Sequence, residues 1–182
     1  FPDQCYRCKK PSLGGLTCSK CAKKTAVSAL WVVSGYSGLA KDLVVYMKYH
    51  PSASTASEIG ELMATRLPFL EKGQTILAHI PTTASRRRER GFDQASVMTK
   101  QISKISGIRS APILRRLTKS HQVGSGKKAR LDHMHEGFRT KNTHLFAGKT
   151  VLLVDDVLTT GATLESSART IKQAGAKKVV AV

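Results

Sequence analysis

Residues 151–163 read VLLVDDVLTTGAT, and their order sets three kinds of chemistry side by side. Val151 to Val154 predict a strand buried on both faces. Two carboxylates follow, Asp155 and Asp156, and then a turn of small hydroxyl residues and glycine, Thr159-Thr160-Gly161-Ala162-Thr163. Leu164, Ala168, Ile171 and Ala174 recur at helical spacing, so a helix begins where the turn ends. A helix N-terminus offers unpaired N–H groups and the positive end of its dipole, and threonine hydroxyls add donors. That combination seats a phosphate, and paired carboxylates at a strand's C-terminal end can grip a diol of the kind ribose presents. Together they describe a site for a ribose 5-phosphate group. A plainer reading of part of the pattern is that Asp and Thr cap the helix.

A second chemistry lies at the start of the chain. All four cysteines fall in its first 21 residues as Cys5-x2-Cys8 and Cys18-x2-Cys21, with nine residues between the pairs. Each CxxC presents two sulfurs to one metal, and tetrahedral zinc takes four. With four thiolates no position stays open for water, so the expected zinc is structural. Gly14 and Gly15 permit the turn between the knuckles. Disulfides are the alternative, and a chain without secretory features argues against them.

The third is a basic run after a predicted strand at Thr75–Ile80: Pro81-Thr82-Thr83-Ala84-Ser85-Arg86-Arg87-Arg88-Glu89-Arg90-Gly91. A helix with Ala95, Met98, Ile102 and Ile105 follows it. This position places the run at the C-terminal edge of a parallel sheet, where ligands bind in α/β folds. Arg86, Arg87, Arg88 and Arg90 suit a pyrophosphate or similar anion, because the guanidinium fork matches phosphate oxygens.

These groups need a frame. The 182 residues allow one ordinary domain and a small appendage, expected at 26–182 and 1–25. Residues 26–36 predict a strand or hairpin. Leu39, Leu43, Tyr46 and Met47 predict a short helix ending before Pro51, and Ala56, Ile59, Leu62, Met63 and Leu67 a second one. Both apolar stripes are read as core, and Lys48 as solvent-facing. Ser110–Leu114 is a further strand candidate, and 115–145 a long loop or hairpin. His121, His133 and His135 in that loop are read as surface histidines. Lys178–Val182 closes as a strand after Gly175.

The formal net charge is +18, and residues 82–141 hold 15 Lys+Arg against 4 Asp+Glu. Such an excess predicts association with polyanions. Single-stranded DNA is the expected partner, with Lys127, Lys128 and Arg130 as a contact surface. The other reading is a basic enzyme whose substrate carries many phosphates. Aromatic residues make up only 5%, which favours phosphate contacts over base stacking. No apolar run approaches the ~18 residues that span a bilayer, so no membrane insertion is expected. Phe1-Pro2-Asp3-Gln4-Cys5 has neither a basic n-region nor an apolar h-region, so a cytoplasmic location is expected. The missing initiator Met points to a fragment or a trimmed chain.

The 151–163 string resembles the signature of type I phosphoribosyltransferases, the loop that holds phosphoribosyl pyrophosphate (PRPP). By that resemblance Asp155 and Asp156 bind the ribose hydroxyls and Thr159 to Thr163 the 5-phosphate. The combination with Cys5/Cys8/Cys18/Cys21, RRRERGF at 86–92 and the Thr118…Gln122…Arg130…Gly137-Phe138 spacing resembles the ComF family. The resemblance covers nearly the whole chain. It departs at Asp93, where the family usually has Asn, and at His133, where Asn is common. It implies an α/β fold of the type I phosphoribosyltransferase kind, a parallel sheet flanked by helices, with a small N-terminal four-cysteine zinc module. It implies PRPP with Mg²⁺, handling of single-stranded DNA in natural transformation, and a protein partner in the competence machinery. Any transfer would displace pyrophosphate from C1 of PRPP. No nucleophile or general base is identifiable in the sequence. A metabolic phosphoribosyltransferase acting on a small base and a non-catalytic PRPP-sensing regulator are the alternatives.

Overall fold

The computed structural model describes residues 3–50, 52–117 and 137–182. The elements in chain order are α1 (Ser19–Ala22), β1 (Val27–Leu30), α2 (Gly38–Tyr49), α3 (Ala53–Thr65), β2 (Thr75–His79), α4 (Ala84–Arg90) and α5 (Gln94–Ser106). After these come β3 (Leu114–Arg116), β4 (Phe138–Thr140), β5 (Thr150–Val154), α6 (Ala162–Gln173) and β6 (Lys178–Ala181). Four strands form a parallel sheet in the order β1-β6-β5-β2, and β3 and β4 make a separate antiparallel pair.

The strand period of two sorts side chains onto two cores. On one face Val151 and Leu153 of β5, Ile76 and Ala78 of β2, and Val179 and Ala181 of β6 pack with Leu164, Ala168 and Ile171 of α6 and with Phe138 and Phe146. On the other, Leu152, Val154, Leu77 and Val180 meet Met47 of α2, Ala56 and Met63 of α3, and Ala95, Met98 and Ile102 of α5. Val151 to Val154 are fully buried, as the continuous apolar run required.

Helix ends follow their local chemistry. The Ser52 hydroxyl accepts from Thr55 N–H (3.2 Å), Thr83 from Arg86 N–H (3.3 Å) and the Asp93 carboxylate from Ser96 N–H (3.2 Å). Helices α3 and α5 cross at Gly60. A Cβ there would stand 2.8 Å from both Cα and O of Met98, so only glycine fits. Gly60→Ala is therefore expected to destabilise the fold by about 1–3 kcal/mol, the usual cost of overpacking. Denaturant unfolding measures it, and an unchanged midpoint would refute the close approach.

Three expectations are corrected. Only the first part of 26–36 forms a strand. The Ser110–Leu114 candidate divides: Ser110 bridges β2 in parallel, with Leu77 N–H on Arg109 O and Ala111 N–H on Leu77 O at 2.9 Å each, and β3 then turns away to pair with β4. Pro112 lies between the two pairings and has no N–H to continue a ladder. The α2 stripe is not core. Met47 is buried, but Leu39, Leu43 and Tyr46 are 75%, 39% and 50% exposed. Residues 39, 43 and 46 share the face turned away from the sheet, whereas Val44 and Met47 face inward. The 115–145 hairpin expectation is met by the β3–β4 pair at its base. Residues 118–136 lie outside the described residues, and with them Lys127, Lys128, Arg130 and the three histidines.

Candidate functional site

β5 and β2 are neighbours, with His79 level with Val154, so the chains leaving their C-terminal ends run side by side. Ile80 N–H donates to Val154 O (3.1 Å), which sets the start of the basic segment beside Asp155. Both candidate anion segments therefore sit at one sheet edge.

From β5 the chain enters Asp155, whose N–H is held by Val182 O (3.2 Å) at the end of β6. Asp155 Oδ1 accepts from Asp156 N–H (3.0 Å). Burial pushes the Asp155 carboxyl up to about 7, and the charge of Asp156 adds to the effect. Asp156 itself is paired: Lys48 Nζ lies 2.9 Å from its Oδ2, with both side chains mostly covered. This corrects the solvent-facing expectation for Lys48. The C-terminal turn of α2 brings it over the acid pair, where it offsets their mutual repulsion. On the outward face of the same turn Tyr46 and His50 stack with ring centroids 4.6 Å apart.

The loop closes at Gly161, which adopts φ 76° and caps α6. Ala162 N–H reaches Thr160 Oγ1 (3.3 Å), and Glu165 N–H makes the first helical bond to Gly161 O (2.8 Å). Thr159, Thr160, Gly161, Ala162 and Thr163 thus lie at a helix N-terminus, in the order the sequence required. N–H groups there are available to an anion.

On the β2 side, Arg86, Arg87, Arg88 and Arg90 belong to the short helix α4. Thr83 caps its start and Gly91, at φ 77°, ends it. Arg86 to Arg88 are exposed, and Arg90 has its Nε buried and unpartnered among the described residues. Asp93, the departure from the family pattern, accepts from Thr82 N–H (2.9 Å) with one oxygen and from Ser96 N–H with the other. It fixes the Pro81–Thr83 turn to the start of α5. Arg116 of β3, which sequence reasoning did not single out, donates to Pro81 O (3.2 Å) and lies over the Phe138 ring at 5.0 Å.

The four cysteine sulfurs gather within 4.8 Å of one another. Cys8 and Cys18 Sγ are 3.6 Å apart. A tetrahedron of Zn–S bonds of ~2.3 Å has edges of about 3.8 Å, so the donor set fits zinc. The thiols compete for ionisation. Burial alone would raise Cys5, but N–H groups of Cys8, Cys18 and Arg7 bring it down to about 6; burial and the other sulfurs push Cys21 up to about 12. A dication resolves that conflict by taking all four as thiolates.

The module is joined to the sheet. Leu16 bridges Ala29 on the outer edge of β1, and Thr17 N–H donates to Ser28 O (2.8 Å). Gly15 presses on β1 so closely that a Cβ would lie 2.5 Å from Leu30 O. Glu165, in the first turn of α6, accepts from the Thr25 hydroxyl, from Ala26 N–H (2.9 Å) and from Tyr6 OH (3.2 Å). Burial opposes ionisation of this carboxyl, but the Thr25 hydroxyl, Ala26 N–H and Arg169 hold it below the usual range.

A parallel sheet carrying an acidic pair and a Thr/Gly helix cap at its C-terminal edge defines a class, and the match is direct: residues 53–182 fit the phosphoribosyl transferase domain. The chain belongs to that family. Along 96% of its length it is also similar to competence protein ComFC of Bacillus subtilis (strain 168), at 27% identity over 200 residues and covering 80% of that protein. At that coverage the similarity extends over α2 and Lys48, which precede the family match. An adenine phosphoribosyltransferase of Chelativorans sp. (strain BNC1) is 33% identical over 97 residues, 44% of this chain and 54% of that enzyme. Two solved structures share the fold over 72% of this chain. They are the allosteric regulatory enzyme of purine biosynthesis (TM-score 0.52, 16% identity) and glutamine PRPP amidotransferase from B. subtilis complexed with ADP and GMP (0.51, 15%). The chain spans about a quarter of each, 25% and 26%. No helix among the described residues is long and apolar enough to cross a membrane.

Proposed function

We propose that this protein binds PRPP at the β5–α6 edge and acts with single-stranded DNA in the manner of a competence protein. The observation that carries the reading is the side-by-side exit of β5 and β2. It puts the acid pair, a helix N-terminus and an arginine-rich helix on one edge. Asp155 and Asp156 accept hydrogen bonds from the two ribose hydroxyls. N–H groups and hydroxyls of Thr159 to Thr163 hold the 5-phosphate, and the Thr82–Arg90 segment receives the pyrophosphate. Two carboxylates beside substrate phosphates are a donor set suited to Mg²⁺, which when bound neutralises charge on the leaving group. In transfer, the bond from C1 to pyrophosphate breaks as an acceptor bonds to C1. The protein positions both partners, and the nucleophile comes from the acceptor. Pyrophosphate release from PRPP, measured with and without single-stranded DNA and with a panel of free bases, tests the reading. Release only with a free base would establish the metabolic alternative, which the adenine phosphoribosyltransferase similarity favours. PRPP binding without turnover would establish the regulator.

The DNA component rests on the +18 charge. Single-stranded DNA is expected to bind with little sequence preference, and log affinity should fall linearly with log salt, with a slope near −0.7 per phosphate neutralised. Charge reversal at Lys127, Lys128 and Arg130 should flatten the slope and leave PRPP affinity unchanged. Absence of binding at low ionic strength would remove nucleic acid from the proposal. A cytoplasmic location and a protein partner in DNA uptake belong to the same reading.

A further inference from the structure

We infer that Tyr6 and Glu165 are positioning residues for the phosphate loop, so that the cysteine module is a working part of that site. The inference takes its ligand, a sugar phosphate, from the proposed function. Its geometry stands apart from it.

Among the described residues, the loop's own bonds between Asp155 and α6 are Asp156 N–H to Asp155 Oδ1 and Ala162 N–H to Thr160 Oγ1, the latter at 3.3 Å, and Lys48 pairs with Asp156 at its start. Support comes from outside. Tyr6 Cε2 stands 3.9 Å from where a Cβ on Gly161 would lie, and Leu158 Cδ1 3.6 Å, so the bare glycine is covered by the Tyr6 ring and a leucine of the loop itself. Tyr6 lies between the ligands Cys5 and Cys8. A metal that fixes the knuckle therefore fixes the ring against Gly161.

Glu165 completes the joint. Its N–H holds Gly161 O, and its carboxylate faces the module, accepting from Tyr6 OH, the Thr25 hydroxyl, Ala26 N–H and Arg169 Nε (2.8 Å). Arg169 in turn donates to Lys24 O (3.0 Å). A carboxylate in the first turn of a helix suits the dipole but repels a phosphate on the same N-terminus. Four donors keep this charge on the module side, 159 residues from Tyr6 in sequence and adjacent in space. The module thus shapes Gly161 and holds a repelling charge off the phosphate seat.

The test uses the zinc-loaded full chain and hydrogen exchange in the segment 157–166, with zinc content measured in parallel. Tyr6→Ala should keep its zinc yet exchange there about ten-fold faster, as expected for loss of a ring contact and a hydrogen bond. Tyr6→Phe, which keeps the ring, should fall between it and the wild type. Affinity for PRPP with Mg²⁺ should weaken in the same order. If Tyr6→Ala loses zinc, Glu165→Gln serves instead, since it leaves every cysteine and Tyr6 in place. Unchanged exchange in a zinc-retaining variant would overturn the inference. Altered exchange in a protein that binds no PRPP would uphold the positioning role and sink the sugar-phosphate reading.

Discussion

Replacing both Asp155 and Asp156 with Asn should weaken PRPP·Mg²⁺ binding by about 100-fold or more, since each charge-assisted bond contributes roughly 1.5–3 kcal/mol. Calorimetry measures this directly, and equal affinity in both proteins would exclude the β5 edge as the site. Removing the Thr159 or Thr163 hydroxyl should cost less, about 0.5–1.5 kcal/mol each. The same carboxylates predict a pH dependence. Asp155 sits near 7 in the free protein, chiefly because it is buried and then because Asp156 lies beside it. Ligand binding needs its charged form, so affinity should rise as pH increases from about 6 to 8. Stability should move the opposite way. Between the unfolded carboxyl value, about 4, and 7 the native state binds the extra proton, so native stability falls as pH rises through that window and levels off above it. Asp155→Asn removes the penalty. It should match the wild type near pH 4 and exceed it above pH 7, by an amount on the order of a few kcal/mol. A thermal-unfolding gap that does not widen with pH would contradict the raised carboxyl. Lys48 keeps the effect from growing larger, because its ammonium compensates Asp156.

The second large effect concerns zinc. Freshly purified protein should hold one zinc per chain by elemental analysis. Cys5→Ser or Cys18→Ser should reduce that to near zero and expose the cysteine module to proteolysis, because the affinity of a structural zinc is folding free energy. The loss would spread. Tyr6 would release Glu165, Leu16 and Thr17 would leave the edge of β1, and the cover over Gly161 would open. A full-strength zinc signal in either variant, or none in the wild type, would refute the four-cysteine site.

Much of this protein could be read along the chain because its information is local. Four apolar residues in a row need two covered faces, and β5 found them under α6 on one side and under α2, α3 and α5 on the other. A doubled CxxC brings its sulfurs close through two short turns, and the four converge. The acid pair and the Thr/Gly cap lie at the β5–α6 junction because a strand period must give way to a helix period there. The basic run lies at the edge its sequence position implies. The residues between a capping Thr83 and Gly91 close into a helix, which presents Arg86 to Arg88 outward.

What the sequence left open are pairings between distant segments. Periodicity shows that α2 has an apolar stripe but not which stripe meets the sheet; packing against α3 chose Val44 and Met47 and left Leu39, Leu43 and Tyr46 outside. That same rotation of the helix carried Lys48 onto Asp156. The join of Tyr6, Thr25 and Glu165 depends on β1 lying beside β6, which no local pattern encodes. The sequence by itself determined which side-chain chemistries lie together, through residue types at fixed short spacing. The tertiary structure alone decided which charges neutralise one another and which element braces the phosphate loop, because those depend on the order of strands in the sheet.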